Sequence, residues 1–135
     1  MPVIPQAPPN VVDTLARVAR ETPGLELLLM FGSRARDTSH ERSDWDFGYL
    51  AAAHVDPAEL RGRVVEALGN DRVDLVDLTR ASGLLRYRVA RDGQILFESR
   101  SGLGDQFRLE AVRFWCDAQP LLQRGYEEVL AELTR

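Results

Sequence analysis

Lysine is missing altogether: all 17 basic side chains among the 135 residues are arginine. Its absence excludes chemistry that depends on a lysine amine, whether a Schiff-base nucleophile or the phosphate-binding lysine of a P-loop. Cysteine is nearly absent, and the single Cys116 leaves no internal disulfide to form, which fits a reducing compartment. Its apolar, helix-spaced neighbours predict a buried, inert thiol. His40 and His54 stand in polar stretches without a second His or Cys at ligand spacing, which argues against zinc. No apolar run approaches the roughly 20 residues of a membrane span. The Pro-rich stretch Met1–Pro9 has neither the basic start nor the apolar centre of a secretory leader, so a cytoplasmic protein is expected. With a net charge of −4, the chain also lacks the basic surface that nonspecific nucleic-acid binding requires.

The remaining composition is that of a globular chain, 44% hydrophobic and 28% charged, long enough for one core and too short for two. A flexible arm is expected over residues 1–9 and a single domain over residues 10–135. Val11, Val12, Leu15, Val18 and Ala19 form one stripe of a helix from Asn10 to Glu21, stopped by Thr22-Pro23-Gly24. Leu25–Phe31 is too short and too uniformly apolar for a surface helix and reads as a central strand. Trp45–Leu50 gives a second strand. A helix starts at Asp56-Pro57 and ends at Gly69; a third strand covers Arg72–Leu78, a helix Ala81–Arg91, and a short strand Gln94–Phe97. From Phe107 to Leu133 apolar residues keep a helical spacing, with Pro120 expected to kink or break the helix and Phe114-Trp115 expected to face the core. Alternating strands and helices imply an α/β layer structure on one sheet.

The chemistry gathers between the first two strands. Gly32-Ser33 ends the first apolar run, an arginine-rich loop follows, and Ser43-Asp44-Trp45-Asp46 opens the second. Two residues apart on a strand, Asp44 and Asp46 leave the same face roughly 6.5–7 Å apart at the backbone. Such carboxylates can share divalent cations, and two-metal phosphoryl-transfer sites space their metals by about 3.5–4 Å. Gly32 permits close approach of backbone to ligand, and Ser33 offers a hydroxyl and an N–H to phosphate oxygens at the start of a helical turn. A third acid is needed on a neighbouring strand. Asp74, flanked by Val73 and Leu75, and Asp77, which can equally be a strand-end acid or a helix cap, are the candidates.

Gly32, Ser33, Ala35, Arg36, Ser43, Asp44 and Asp46 match, at the family spacing, the pattern G-S-x-A-R-G-x(5)-S-D-x-D. The stretch therefore resembles the minimal nucleotidyltransferases (MNT), the small branch of the DNA polymerase beta-like superfamily, and the likeness extends over about residues 10–100. Asp37 replaces the family glycine and adds a negative charge near the expected triphosphate. The resemblance implies the nucleotidyltransferase fold, a small mixed sheet covered by helices and followed by a long C-terminal helix. It implies two Mg²⁺ ions held by Asp44, Asp46 and Asp74, with ATP as substrate. Gly32 and Ser33 would cradle the triphosphate, and Arg36, with Arg34, would neutralise the departing pyrophosphate.

Only about 60 residues follow Asp74, enough to cover the sheet and too few for a separate acceptor-binding domain. The acceptor is expected from a partner or from a second copy of the chain. Members of the resembled family are antitoxins in HEPN/MNT pairs, beside a helical HEPN-domain toxin, and some transfer AMP to a tyrosine of that toxin. Adenylyl transfer to a HEPN-type toxin is the leading expectation. The alternatives are an antitoxin that acts by binding alone and an Asp-x-Asp glycosyltransferase, against which the short chain and Gly32-Ser33 both argue.

Overall fold

The computed structural model describes residues 9–32 and 44–133, as backbone only at positions 9, 121–123 and 126. Helix α1 (Pro9–Arg20) places Leu15 and Ala19, one turn apart, wholly inside. The Thr22 hydroxyl then donates to the Val18 carbonyl at 2.8 Å, and Gly24 turns the chain at a φ of 85°. Strand β1 (Leu25–Phe31) follows, then β2 (Trp45–Ala51), antiparallel to it.

Helix α2 (Pro57–Leu68) begins where Asp56 accepts the Ala58 N–H at 3.0 Å and Pro57 occupies a position that needs no donor; it closes on Gly69 in the left-handed region. Arg61 on this helix donates to the carbonyls of Asp71 and Val73, each at 2.9 Å, and so fixes the entry to β3 (Val73–Asp77). The Trp45 N–H donates to the Arg72 carbonyl at 2.8 Å and aligns the start of β2 with it. Helix α3 (Gly83–Asp92) is capped by Ser82, whose hydroxyl accepts the Leu85 N–H at 3.2 Å. Strand β4 (Gln94–Glu98) and helix α4 (Leu103–Leu133) complete the order.

The sheet runs β3-β2-β1-β4, with β2 and β3 parallel and the other neighbours antiparallel. β1 is interior and buried on both faces, which explains a strand apolar at every position but Glu26. One face, carrying Leu28, Met30, Phe47 and Val73, packs under α1 and α2. The other carries Leu27 and Leu29 and packs under α3 and α4 with Val89, Leu103 and Phe107. Tyr49 lies in the first core, so its side chain belongs to packing. The expected mixed sheet with a long C-terminal helix is present, and among the described residues each expected boundary lies within two residues of the observed one except the start of α4, expected at Phe107 and found at Leu103.

Two expectations on α4 are corrected. Of the kink or break expected at Pro120, the break is absent: the helix continues through that residue, where one lost N–H and a local clash, about 3 kcal/mol, are spread over a 31-residue helix. Cys116 and Phe114 are exposed rather than buried. At 31 residues α4 is about 46 Å long, whereas a seven-residue strand spans about 23 Å, so the helix outruns the sheet beyond Ala111. Phe114 reaches back only as far as Gly83, where its ring occupies the space that a Cβ would need.

Candidate active site

Asp46 is the second residue of β2 and Asp74 the second of β3, and in the parallel register they are direct partners. The adjacent Phe47, Val73 and Leu75 all pack toward α1 and α2. By the alternation of a strand, Asp46 and Asp74 therefore point together to the α3/α4 side, past the edge of the second core. Asp44 precedes the strand and is exposed. Burial raises the Asp46 carboxyl above the ordinary 3.8, and the charges of Asp74 and then Asp44 raise it further. Both neighbouring acids thus disfavour the charge on Asp46, and a cation there would relieve that repulsion.

Gly32 stands against this cluster. It follows β1, whose last residue Phe31 pairs with Asp46, and it has a φ of 76°. A Cβ at Gly32 would run into the Asp46 carboxylate, so glycine is required here twice, for backbone conformation and for room. Ser33, Arg34, Arg36, Asp37 and Ser43 lie outside the described residues.

Asp77 occupies a different environment. It pairs with Tyr49, accepts the Thr79 N–H at 3.0 Å, and has Arg80 at 3.9 Å. It is engaged in the turn that leaves β3, three residues from Asp74 and directed to the opposite face. A hollow of about 690 Å³ lies on that side, lined by Tyr49, His54, Asp77 and Arg80 among others, but it includes neither Asp46 nor Gly32. Its size alone does not make it the site of chemistry.

Among the described residues no group of three or more His, Cys, Asp or Glu side chains is gathered closely enough to cage a metal ion. Mg²⁺ does not need such a cage, because it commonly binds one or two carboxylates together with water and substrate phosphates. A paired Asp46 and Asp74, hard oxygen donors with open space at Gly32, fit that mode.

A smaller cleft of about 320 Å³ includes Gly32, which stands against Asp46, although none of Asp44, Asp46 and Asp74 lines it. Phe31, Gly32 and Leu85 line it with Arg88, Arg91 and Asp92 of α3. Sequence reading assigned these arginines no role. Their spacing of three within an amphipathic helix was a visible signal, but nothing in one dimension showed that α3 lies beside the end of β1.

The family profile described as polymerase beta, nucleotidyltransferase matches residues 13–101. A protein adenylyltransferase MntA of Aphanizomenon flos-aquae is 34% identical over 106 residues, covering 68% of this chain and 69% of the relative. The protein adenylyltransferase MntA of Shewanella oneidensis is 33% identical over 112 residues, covering 81% of this chain and 79% of its own. A solved toxin–antitoxin with AMP-PNP superposes with a TM-score of 0.74 at 30% identity, covering 88% of this chain and 98% of that one. A complex of tri-AMPylated Shewanella oneidensis HEPN toxin with MNT antitoxin gives a TM-score of 0.68 at 27% identity, covering 89% and 96%.

Proposed function

The chain belongs to the polymerase beta nucleotidyltransferase family, and from that premise we propose that it is an antitoxin that adenylylates a HEPN-type toxin. ATP is the donor, and a tyrosine hydroxyl of the toxin is the acceptor. The observation that carries the reading is the pairing of Asp46 with Asp74 on adjacent parallel strands, with Gly32 seated against Asp46. The antitoxin with AMP-PNP and the tri-AMPylated toxin among the similar structures supply the donor and the acceptor class.

In the transfer, the acceptor oxygen forms a bond to the α-phosphorus of ATP. The bond from that phosphorus to the bridging oxygen breaks, and pyrophosphate leaves with the electron pair. Asp44, Asp46 and Asp74 would hold one Mg²⁺ beside the acceptor hydroxyl, and Asp44 with Asp46 a second against the triphosphate. Mg²⁺ held there would lower the pKa of the hydroxyl, whose proton passes to solvent as the oxygen attacks, and would offset the charge of the phosphates. Gly32 keeps the backbone low enough for the triphosphate to lie against it, and Ser33 presents its N–H and hydroxyl there. Arg36 and Arg34 are assigned to the charge growing on pyrophosphate. The reading takes the protein to act in the cytoplasm.

A second reading, neutralisation by binding alone, is favoured by one observation. α4 exposes apolar residues that line no part of the cleft at Gly32, so docking there does not require the acids. One experiment separates the two. The protein is purified with its HEPN-type partner, supplied with ATP and Mg²⁺, and the partner is weighed intact. Adenylyl transfer adds AMP to the partner, and Asp44→Asn abolishes the addition. A partner that is bound and neutralised without any gain in mass refutes transfer and leaves binding.

A further inference from the structure

We infer that Arg88 and Arg91 of α3 form the polyphosphate wall of the nucleotide site, with Arg88 as the residue that contacts the β- and γ-phosphates. The inference rests on the nucleotidyl-transfer reading and adds to it a binding element outside the Gly-Ser loop and the aspartates.

Sheet order gives the site two flanks. Asp74 on β3 lies to one side of Asp46, and Gly32 at the end of β1 lies to the other. If the acceptor approaches past Asp74, the leaving group departs past Gly32. The cleft opens on the Gly32 flank, with Phe31 and Gly32 on one side and Leu85, Arg88, Arg91 and Asp92 on the other. Arg88 and Arg91 are three residues apart and so share one face of α3.

The two arginines differ in what already holds them. Arg91 donates through Nε and Nη2 to both oxygens of Asp92, at 3.0 and 2.8 Å, and its guanidinium lies 5.7 Å from the centre of the Tyr87 ring. Tyr87 in turn stacks on Trp115 of α4 with ring centres 5.7 Å apart. This chain of contacts fixes the far end of the cleft and pairs the one carboxylate that would repel an anion there. Arg88 is exposed and makes no hydrogen bond or ion pair with any described residue. It is a cation held in place by its helix alone, beside the residue that follows β1.

Charge requires such a group. The protein carries a net −4 and no lysine, and three aspartates stand at the reacting centre. A planar guanidinium presents paired donors that suit phosphate oxygens. As the bond to the α-phosphorus breaks, negative charge grows on pyrophosphate on the Arg88 side, where a fixed cation is most effective.

The test compares wild type, Arg88→Ala and Arg88→Lys for affinity, in Mg²⁺, toward ATP, AMP and pyrophosphate. Arg88→Ala is expected to weaken ATP and pyrophosphate on the order of 10- to 100-fold, as for a lost charged hydrogen bond. AMP affinity and the melting temperature without ligand should be unchanged, and Arg88→Lys should recover part of the loss. Unchanged ATP and pyrophosphate affinity overturns the inference. An equal loss for AMP overturns it as well, since the arginine would then meet the nucleoside. A wild type that binds ATP while Arg88→Ala loses nothing leaves the transfer reading intact. A wild type that binds no ATP sinks both.

Discussion

Asp46 meets two opposed demands, as a strand residue and as a charge. Its position on β2 holds it beside Asp74, and the cost is a carboxyl whose ionisation burial, Asp74 and Asp44 all disfavour. The folded chain therefore keeps that proton to a higher pH than the unfolded chain does. Between the two values the folded state binds more protons, so the stability of the ligand-free protein falls as pH rises through the window and stays lowered above it. Asp46→Asn removes the ionisation. It is expected to be more stable than wild type at neutral pH without ligand, with the difference vanishing below the ordinary carboxyl value of 3.8. Thermal unfolding across pH measures this, and a variant that is no more stable at pH 7 overturns it. The same variant should lose the stabilisation that Mg²⁺ and ATP give to wild type, since a ligand stabilises only the state that binds it. Greater stability together with lost binding separates a functional acid from a structural one. Gly32 belongs to the same residue-scale logic, because its missing Cβ is the space the Asp46 carboxylate occupies.

Elements were legible where local chemistry agrees with the fold. Asp56-Pro57 and Gly69 bound α2 in the sequence as they do in space, and the apolar run of β1 is what an interior strand requires. Legibility failed where an element outgrows its support. Periodicity continues along α4 whether or not a sheet lies beneath it, so Phe114 and Cys116 read as core although the strands end too soon to cover them. α3 is a short helix of modest amphipathicity whose start depends on Ser82. Ser82→Ala is expected to cost about 1 kcal/mol and Ser82→Gly only a few tenths. Urea unfolding should show the Ala midpoint lowered at constant slope, because the exposed surface of the unfolded chain is unchanged. Equal losses for Ala and Gly would mean that the hydroxyl does not cap the helix.

At the scale of the whole molecule, the acids of the candidate site were readable and the side chains packed around them were not. Asp44, Asp46 and Gly32 announce themselves by spacing, and Asp74 by its apolar flanks. Arg88 and Arg91 come to the end of β1 only through sheet order and helix packing, which no local pattern encodes. The same packing leaves a long surface without cover. Phe107 and Ala111 anchor α4, but Leu109 is 51% exposed, Phe114 58% and Leu133 76%. Leu109, Val112, Leu130 and Leu133 recur at helical spacing along one stripe, a pattern suited to a second helix laid alongside. Large apolar side chains left exposed at both ends of such a stripe suit an interaction site. Under the proposed function the occupant is the HEPN-type toxin; the similar structures include a HEPN toxin in complex with an MNT antitoxin. The double variant Leu109→Asp, Leu133→Asp should fold and bind ATP like wild type, because neither side chain lies in a core cluster or a cleft wall. Its affinity for the toxin should fall on the order of 30-fold or more, the effect of losing a buried anchor, and adenylylation of the toxin should fall with it. Asp46→Asn should do the reverse, keeping the complex and losing the modification. Size-exclusion chromatography with intact-mass analysis of the toxin reads both effects at once. Co-elution and full modification with the double variant would place the toxin on some other face, and the α4 stripe would need a different occupant.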